Sequence, residues 1–449
     1  MDFLDSLSKK IIKTHASDIS GNYHFTRKNK DSIKQIHLRV EEDGSGTLLI
    51  NASNIFYFNT SATIFALSIL NEEPEQGLIR KITSQYKLGK TQARSDFNQF
   101  RQNFLPIISP LGDPCPICDL NLDTIQPFSQ PPTAPFRMDL ALTYRCNNAC
   151  IHCYNAPGRG KTELKLAEWK AIIDQILKIG IPHIVFTGEE PTLYADLFDL
   201  IKYANSIGII TGLNTNGRRL KDKEYVQALI DAGLDHVQIT LESHDQSIHD
   251  DIVQCQGAWQ QTVAGIQNAL QSKLFVMTNT TLLKLNSIYL KETMEFLAQL
   301  KVPTIGLNGL IYSGRGAETG IGIEENDLPE LLALAVDLTQ AHGQRLIWYT
   351  PTQYCHFDPV TYGLGVKGCT AASYNMCIEP DGTVLPCQSY YKPLGNMIID
   401  EWANIWNHDL AVSIREKKNL PNTCQGCNLL SECGGGCPLY LEEKVLQIN

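Results

Sequence analysis

Long apolar runs are missing from this chain of 449 residues. No stretch approaches the roughly 18 residues that a membrane-spanning helix needs, which excludes a membrane protein of the helical kind. Basic charge is scarce too: 38 Lys and Arg stand against 48 Asp and Glu, a formal net charge of −10. With no dense basic stripe interleaved with aromatics to offset that balance, nucleic acid is not expected as a main partner. Residues Met1 to Thr14 mix Asp2, Asp5, Lys9 and Lys10 and lack the basic-then-apolar order of a secretory signal, so the expected location is cytoplasmic. Nor is there a bias towards a fibre or a disordered chain, since 43% hydrophobic, 19% charged and 8% aromatic residues are ordinary globular proportions. At roughly 150 residues per domain, the length suits about three domains.

What the chain does have is cysteine. A cytoplasmic protein of this size gains little from disulfides, so its 14 cysteines point to metal ligation or catalysis. They are unevenly placed. Cys115 and Cys118 form a pair, Cys146, Cys150 and Cys153 a group, Cys255 and Cys355 stand alone, and seven more fall between Cys369 and Cys437. This grouping predicts a protein with several metal clusters.

Residues 1–108 read as a small domain. Strand-like runs at 37–40, 47–50 and 55–58, with a hairpin turn at Asp43-Gly44, precede three helical patterns. Phe97, Phe100 and Phe104 share one face of the third, and Leu78, Ile79 and Ile82 one face of the second. Strands followed by three short helices predict a winged-helix-like module. Residues 109–135 are rich in proline and read as a linker that carries the Cys115-Pro-Ile-Cys118 pair. From 136 to 345, short apolar strands alternate with helical stretches of about 10–15 residues, the pattern of βα units on a parallel sheet. Six strands are expected, centred on Leu140, Val185, Ile210, Ile239, Met277 and Leu307, so the fold class is α/β and the sheet an incomplete barrel. The first helix carries Trp169, Ile172, Ile173, Ile176 and Leu177 on one stripe and stops at Gly180. Residues 346–449 are loop-rich and cysteine-rich, with few apolar residues for a core, so metal ligation is expected to hold them together.

Directly after the first strand comes Cys146-Asn-Asn-Ala-Cys150-Ile-His-Cys153. A [4Fe-4S] cluster takes four thiolates in full, and this loop supplies three. One iron is thereby left for a small molecule, at the end of the barrel strands where active sites sit. A structural zinc site or plain core cysteines are the rival readings. At the end of the second strand stands Thr187-Gly188-Glu189-Glu190-Pro191. The cysteine spacing resembles that of the radical S-adenosylmethionine (SAM) superfamily. The second motif is similar to that family's Gly-Gly-Glu-Pro segment for the SAM amino group, with Glu189 in place of the second glycine. The resemblance implies SAM contacts from Gly188, Glu189, Glu190 and Pro191, and from His152 near the adenine. It also implies ribose, carboxylate or adenine contacts from Asn216, Glu242 and the strand backbone at Leu307. It singles out no catalytic side chain.

The C-terminal cysteines run Cys369-x12-Gly382-x4-Cys387, then Cys424-x2-Cys427-x5-Cys433-x3-Cys437. A zinc ribbon would be satisfied by the last four and would leave Cys369, Cys377 and Cys387 unexplained. Residues 375–386, with Asp381-Gly382 at the turn, fit a hairpin. The spacing resembles the SPASM extension of radical SAM enzymes, which holds two auxiliary iron–sulfur clusters. By that resemblance Cys369, Cys387 and Cys437, with Cys377 as candidate fourth, ligate the first cluster. The second takes Cys424, Cys427 and Cys433 plus a downstream cysteine. None follows Cys437, so the linker pair is the expected source, Cys118 ahead of Cys115. Cys255 and Cys355 are expected to be isolated, buried small hydrophobes.

Residues 48–51 and 57–59, Leu-Leu-Ile-Asn and Tyr-Phe-Asn, resemble the leader-peptide recognition element of maturases of ribosomally made peptides, which takes a peptide as an added strand. Together the resemblances imply a partial (β/α)6, TIM-like barrel between a winged-helix-like recognition domain and a SPASM-like domain. They imply three [4Fe-4S] clusters, SAM, an external electron donor such as flavodoxin or ferredoxin, and a precursor peptide as partner. The implied reaction uses a 5′-deoxyadenosyl radical to form a thioether or carbon–carbon crosslink. The rivals are a peptide epimerase with Cys255 or Cys355 as hydrogen donor, a sulfatase-maturase-like oxidase, and a noncatalytic iron–sulfur peptide-binding protein.

Overall fold

The computed structural model describes residues 19–28, 33–51, 54–86, 88–109, 132–155, 162–418 and 420–448. Cys115 and Cys118 lie outside them. By its contacts the chain divides into two compact units, 1–129 and 130–449. No helix among the described residues is long and apolar enough to cross a membrane.

The first unit opens with a four-stranded antiparallel meander, β1 (Gly21–Lys28), β2 (Ile33–Val40), β3 (Gly46–Ile50) and β4 (Asn54–Phe58), in that spatial order. The Asp43-Gly44 turn forms as expected: Gly44 takes φ +84°, and Asp43 Oδ1 accepts from the Ser45 amide at 2.9 Å. Strand β1 is absent from the sequence reading because only Tyr23 and Phe25 of its eight residues are apolar side chains that pack on the core. Three helices follow, Thr60–Leu70, Glu75–Gln85 and Lys90–Ile108. Asn59 caps the first by accepting from the Ala62 amide at 2.9 Å. Phe97, Phe100 and Phe104 are buried on one face of the last helix, and Phe100 and Phe104 both meet Phe58 of the sheet edge-on.

In the second unit seven parallel strands stand side by side, from β5 (Arg137–Ala141), β6 (His183–Thr187) and β7 (Ile210–Thr215) through β8 (His236–Thr240) and β9 (Phe275–Leu282) to β10 (Thr304–Gly309) and β11 (Arg345–Trp348). The six expected strands are all present. The seventh, β11, is only four residues long, and only Trp348 in it is fully buried, too short a run for periodicity to register. The helix Leu166–Ile179 buries Trp169, Ile172, Ile173 and Ile176 and ends at Gly180 with φ +88°. On the far side of β5 the sheet continues into the cysteine-rich segment: β12 (Asn375–Ile378) pairs parallel with β5, and β13 (Thr383–Leu385) and β14 (Gly395–Asn396) add antiparallel. This corrects the expectation that metal alone would hold that segment. Met376, Ile378, Val384, Leu394, Met397 and Ile405 are buried in the same apolar cluster as the barrel strands and helices.

Candidate cofactor site at the ends of the barrel strands

The loop after β5 brings Cys146, Cys150 and Cys153 together. The chain has no helix or strand here, so neighbours fix its course. The amides of Ala149 and Ile151 donate to the carbonyls of Val253 and Ile252 at 3.0 Å each, at the end of the helix Gln246–Val253. The Cys153 carbonyl accepts from Gly316 at 3.1 Å. Arg218 donates to Asn148 Oδ1 at 2.7 Å and to the Asn147 carbonyl. Burial pushes the Cys146 thiol up to about 12 and lifts Cys150 and Cys153 too; Cys153 raises Cys146 further, and Cys153 and Cys146 both raise Cys150. Protein alone therefore keeps them protonated. A cationic iron cluster reverses that balance by favouring thiolate, so the donor set suits one. No three His, Cys, Asp or Glu side chains among the described residues converge on a single metal ion. A cubane asks for wider spacing, because its ligands surround a cage of iron and sulfide.

The Gly188–Pro191 turn ends β6 beside this loop. Gly188 has φ +136°, and a Cβ there would sit 2.4 Å from the Thr143 carbonyl. The Glu189 amide donates to that same carbonyl at 3.0 Å, and the Glu190 amide to Arg145 at 3.1 Å. The close approach explains the one glycine kept. Glu189 puts a half-buried carboxyl, raised by burial and opposed by Arg315, within electrostatic reach of Cys146 and Cys153. The Glu190 side chain is occupied: its carboxylate accepts from Thr192 Oγ1 at 2.6 Å, Thr215 Oγ1 at 2.7 Å and the Asn216 amide at 2.8 Å. It ties the ends of β6 and β7. Asn216 reaches on to Asn147 Oδ1 of the cysteine loop at 2.6 Å.

His152 and Glu242 meet each other, Nε2 to Oε1 at 3.1 Å, with Glu242 fully buried and its other oxygen accepting from the Thr281 amide at 2.9 Å. His152 Nδ1 is buried with no hydrogen-bond partner among the described residues. Leu307 lies fully buried inside β10, and its carbonyl is taken by the Tyr349 amide at 3.0 Å. That oxygen is committed to the sheet rather than open at a strand end.

Two residues that the sequence reading missed face this site. Arg315, in the turn Gly314–Glu318, donates to the Ala149 carbonyl at 3.2 Å and to the Cys153 thiol. Tyr154, a partly buried residue whose hydroxyl is desolvated, bonds to Thr187 and lies near Cys377 and Asp139. Neither belongs to a local pattern, since Arg315 bonds back to the loop after β5 and Tyr154 to the end of β6.

The C-terminal thiols also gather. Cys369, Cys387 and Cys437 lie within electrostatic reach of one another; burial pushes Cys387 up to about 12 and raises the other two. Each residue keeps some surface while its thiol is desolvated. Backbone amides two residues further on, at Ala371, Ser389 and Leu439, donate to these thiols, as Asn148 and Asn155 do for Cys146 and Cys153. Cys377 is buried on β12 between Ala141 and Leu385, near Cys387. The two lone cysteines are not buried hydrophobes. Cys255 is half-buried and accepts from Arg218 at 3.2 Å, and Cys355 is exposed. Their partners lie far off in sequence, which is why neither environment could be read from spacing.

Residues 140–297 match the family model of the radical SAM superfamily, and residues 369–428 that of an iron–sulfur cluster-binding domain, SPASM. The chain is 32% identical to Fe-coproporphyrin III synthase of Methanosarcina barkeri over 66% of its own length and 81% of that protein. It is 26% identical to mycofactocin maturase MftC of Mycolicibacterium smegmatis over 70% and 80%. In fold it is similar to Streptococcus suis SuiB bound to precursor peptide SuiA, with TM-score 0.66 at 16% identity, covering 93% of this chain and 97% of that one.

Proposed function

This chain belongs to the radical SAM superfamily and is an enzyme of the SPASM type with [4Fe-4S] clusters and SAM as cofactors, and from that premise we propose that it modifies a ribosomally made precursor peptide, forming a thioether or carbon–carbon crosslink. The observation that carries the reading is the separate N-terminal unit, a β-meander whose edge strands β1 and β4 each have one neighbour among the described residues. Such an edge suits a leader peptide added as a further strand. The likeness to peptide-bound SuiB supports this, since 93% of the chain is more than the unit 130–449 alone could supply.

When bound, the cofactors supply a 5′-deoxyadenosyl radical that takes a hydrogen atom from the substrate, and C-terminal clusters that accept the surplus electron. The chain's own residues hold and orient. Cys146, Cys150 and Cys153 are the ligands at the barrel; Glu190 fixes the Gly188–Pro191 turn, and His152 with Glu242 fixes the loop between the cysteines. Asp139 and Tyr154 give the barrel interior a polar lining next to that site. A cytoplasmic location and a flavodoxin or ferredoxin as electron donor complete the proposal.

A second reading, formation of a porphyrin from a tetrapyrrole precursor, is favoured by the 32% identity to Fe-coproporphyrin III synthase. Anaerobic incubation with SAM and reductant, offering either a precursor peptide encoded beside the gene or an iron tetrapyrrole precursor of Fe-coproporphyrin III, separates the two. The expected result is a peptide product lighter by two hydrogens. Removal of residues 1–108 should abolish it while SAM is still cleaved. Unchanged peptide affinity and turnover in the truncated protein would refute leader recognition, and formation of Fe-coproporphyrin III from the tetrapyrrole would establish the second reading.

A further inference from the structure

The turn after β11 places Cys355 beside thiols far away in sequence. Its flanks are firmly set. Thr352, Gln353, Tyr354 and Phe357 are buried; the amides of His356 and Phe357 close on the Gln353 carbonyl at 2.8 and 2.9 Å. Glu325 accepts from the Gln353 amide at 3.1 Å and pairs with His356 Nδ1 at 3.0 Å. Tyr354 Oη accepts from the Lys367 amide at 2.8 Å. Cys355 alone in this turn is an exposed small thiol.

Cys433 sits in that turn. Its Sγ accepts from the Tyr354 amide at 3.3 Å, and the thiol donates to the Thr352 carbonyl at 3.7 Å. Cys369, Cys387 and Cys437 receive amides from their own downstream chain, whereas Cys433 receives one from the residue before Cys355. The chain beyond Cys433 is shaped to allow the contact: Gly436 has φ +85°, and a Cβ there would meet Gln353 Cγ at 3.1 Å. Cys424 is near as well. Burial raises the Cys355 thiol, and Cys433 and Cys424 raise it further. Cys424 and Cys427 are joined by a tight turn, Cys427 amide to Cys424 carbonyl at 3.3 Å, and the Cys433 amide closes on Leu429 at 2.8 Å.

We propose that Cys355 is the fourth thiolate ligand of the auxiliary cluster held by Cys424, Cys427 and Cys433, with the turn 352–357 as the arm that delivers it. The inference rests on the iron–sulfur domain and not on the peptide substrate. It replaces the linker pair, Cys115 and Cys118, as the expected source of that ligand.

The test uses the full-length holoprotein, prepared without oxygen. Thiol alkylation followed by peptide mass spectrometry should find Cys355 protected while iron is bound and labelled once a chelator removes it. Cys355→Ala should lose up to about four of about twelve irons, or convert the second auxiliary cluster to a three-thiolate site with an altered spectrum in the reduced state. The double replacement of Cys115 and Cys118 by Ala should change neither. Equal labelling of Cys355 with and without iron overturns the proposal even if the variant fails to fold. So does a Cys355→Ala protein that keeps all its iron and an unaltered spectrum.

Discussion

The cysteines of the barrel and those of the C-terminal segment are assembled by opposite routes. Cys146, Cys150 and Cys153 arrive in one short loop, and the fold only has to hold that loop down, through Ile252, Val253, Arg218 and Gly316. Cys369, Cys387 and Cys437 come from three separate stretches, brought together by long-range contacts such as the Ala372 amide to the Pro386 carbonyl at 2.7 Å and Tyr390 Oη to Glu442 at 2.8 Å. A local ligand set survives as long as its loop is anchored. A distributed one depends on the packing of β12–β14 against the barrel.

The largest expected effect is a reciprocal one. Replacing Cys146, Cys150 and Cys153 together by Ala should abolish formation of 5′-deoxyadenosine and remove about four of about twelve irons, leaving the C-terminal clusters intact. Cys387→Ala should remove a C-terminal cluster and the peptide product while SAM cleavage continues. Iron analysis with the spectrum of the reduced protein checks both. If either change strips all the iron, the two groups are not independent and the contrast fails.

The same contrast explains what could be read in advance. Spacing disclosed the three thiols that gather in the loop after β5, and alternation disclosed six strands, because both are short-range patterns. Glu190 was visible as a motif residue, but its grip on Thr215 and Asn216 spans two βα units and left no mark in the sequence. Cys355 read as an inert thiol because its neighbours, Cys424 and Cys433, lie far along the chain from it. Arg315 was invisible for the same reason, and β11 and β1 were too short or too polar to show a period.

A smaller effect sharpens the claim that anchoring matters for the local group. Gly188 combines φ +136° with a neighbour 2.4 Å from where a Cβ would be, the Thr143 carbonyl that leads into the cysteine loop. Gly188→Ala should destabilise the protein by about 1–3 kcal/mol and weaken SAM binding, because the turn must move off that loop. Gly257 is the control. It also has positive φ, +75°, but open space where its Cβ would be, so Gly257→Ala should cost about 1 kcal/mol and leave SAM binding alone. Thermal unfolding and SAM titration of both variants distinguish a loop effect from backbone strain alone.

The smallest expected effect lies at the opposite end of the same strands, where no ligand is expected. His183 and His236, at the starts of β6 and β8, stand 2.8 Å apart through their Nε2 atoms. One nitrogen must donate and the other accept, so the contact needs a neutral ring. Burial, then Arg137, pushes His236 down to about 4, below the value near 6.5 of an exposed histidine. The sign follows from proton uptake. Between about pH 6.5 and 4 the unfolded chain binds a proton that the folded barrel refuses, so this contribution to stability is complete above that window and falls as pH drops through it. The slope for one proton is at most ~1.4 kcal/mol per pH unit. Buried carboxyl groups raised by desolvation, Asp139 and Glu190 among them, act with the opposite sign. The wild type must therefore be compared with His236→Gln rather than judged alone. From pH 8 to 5 the melting temperature of the variant should fall less steeply than that of the wild type, with SAM cleavage at pH 8 unchanged. Parallel curves would mean that the imidazole pair does not set the acid limb, and that the bottom of the barrel is as indifferent to protons as a fully apolar core.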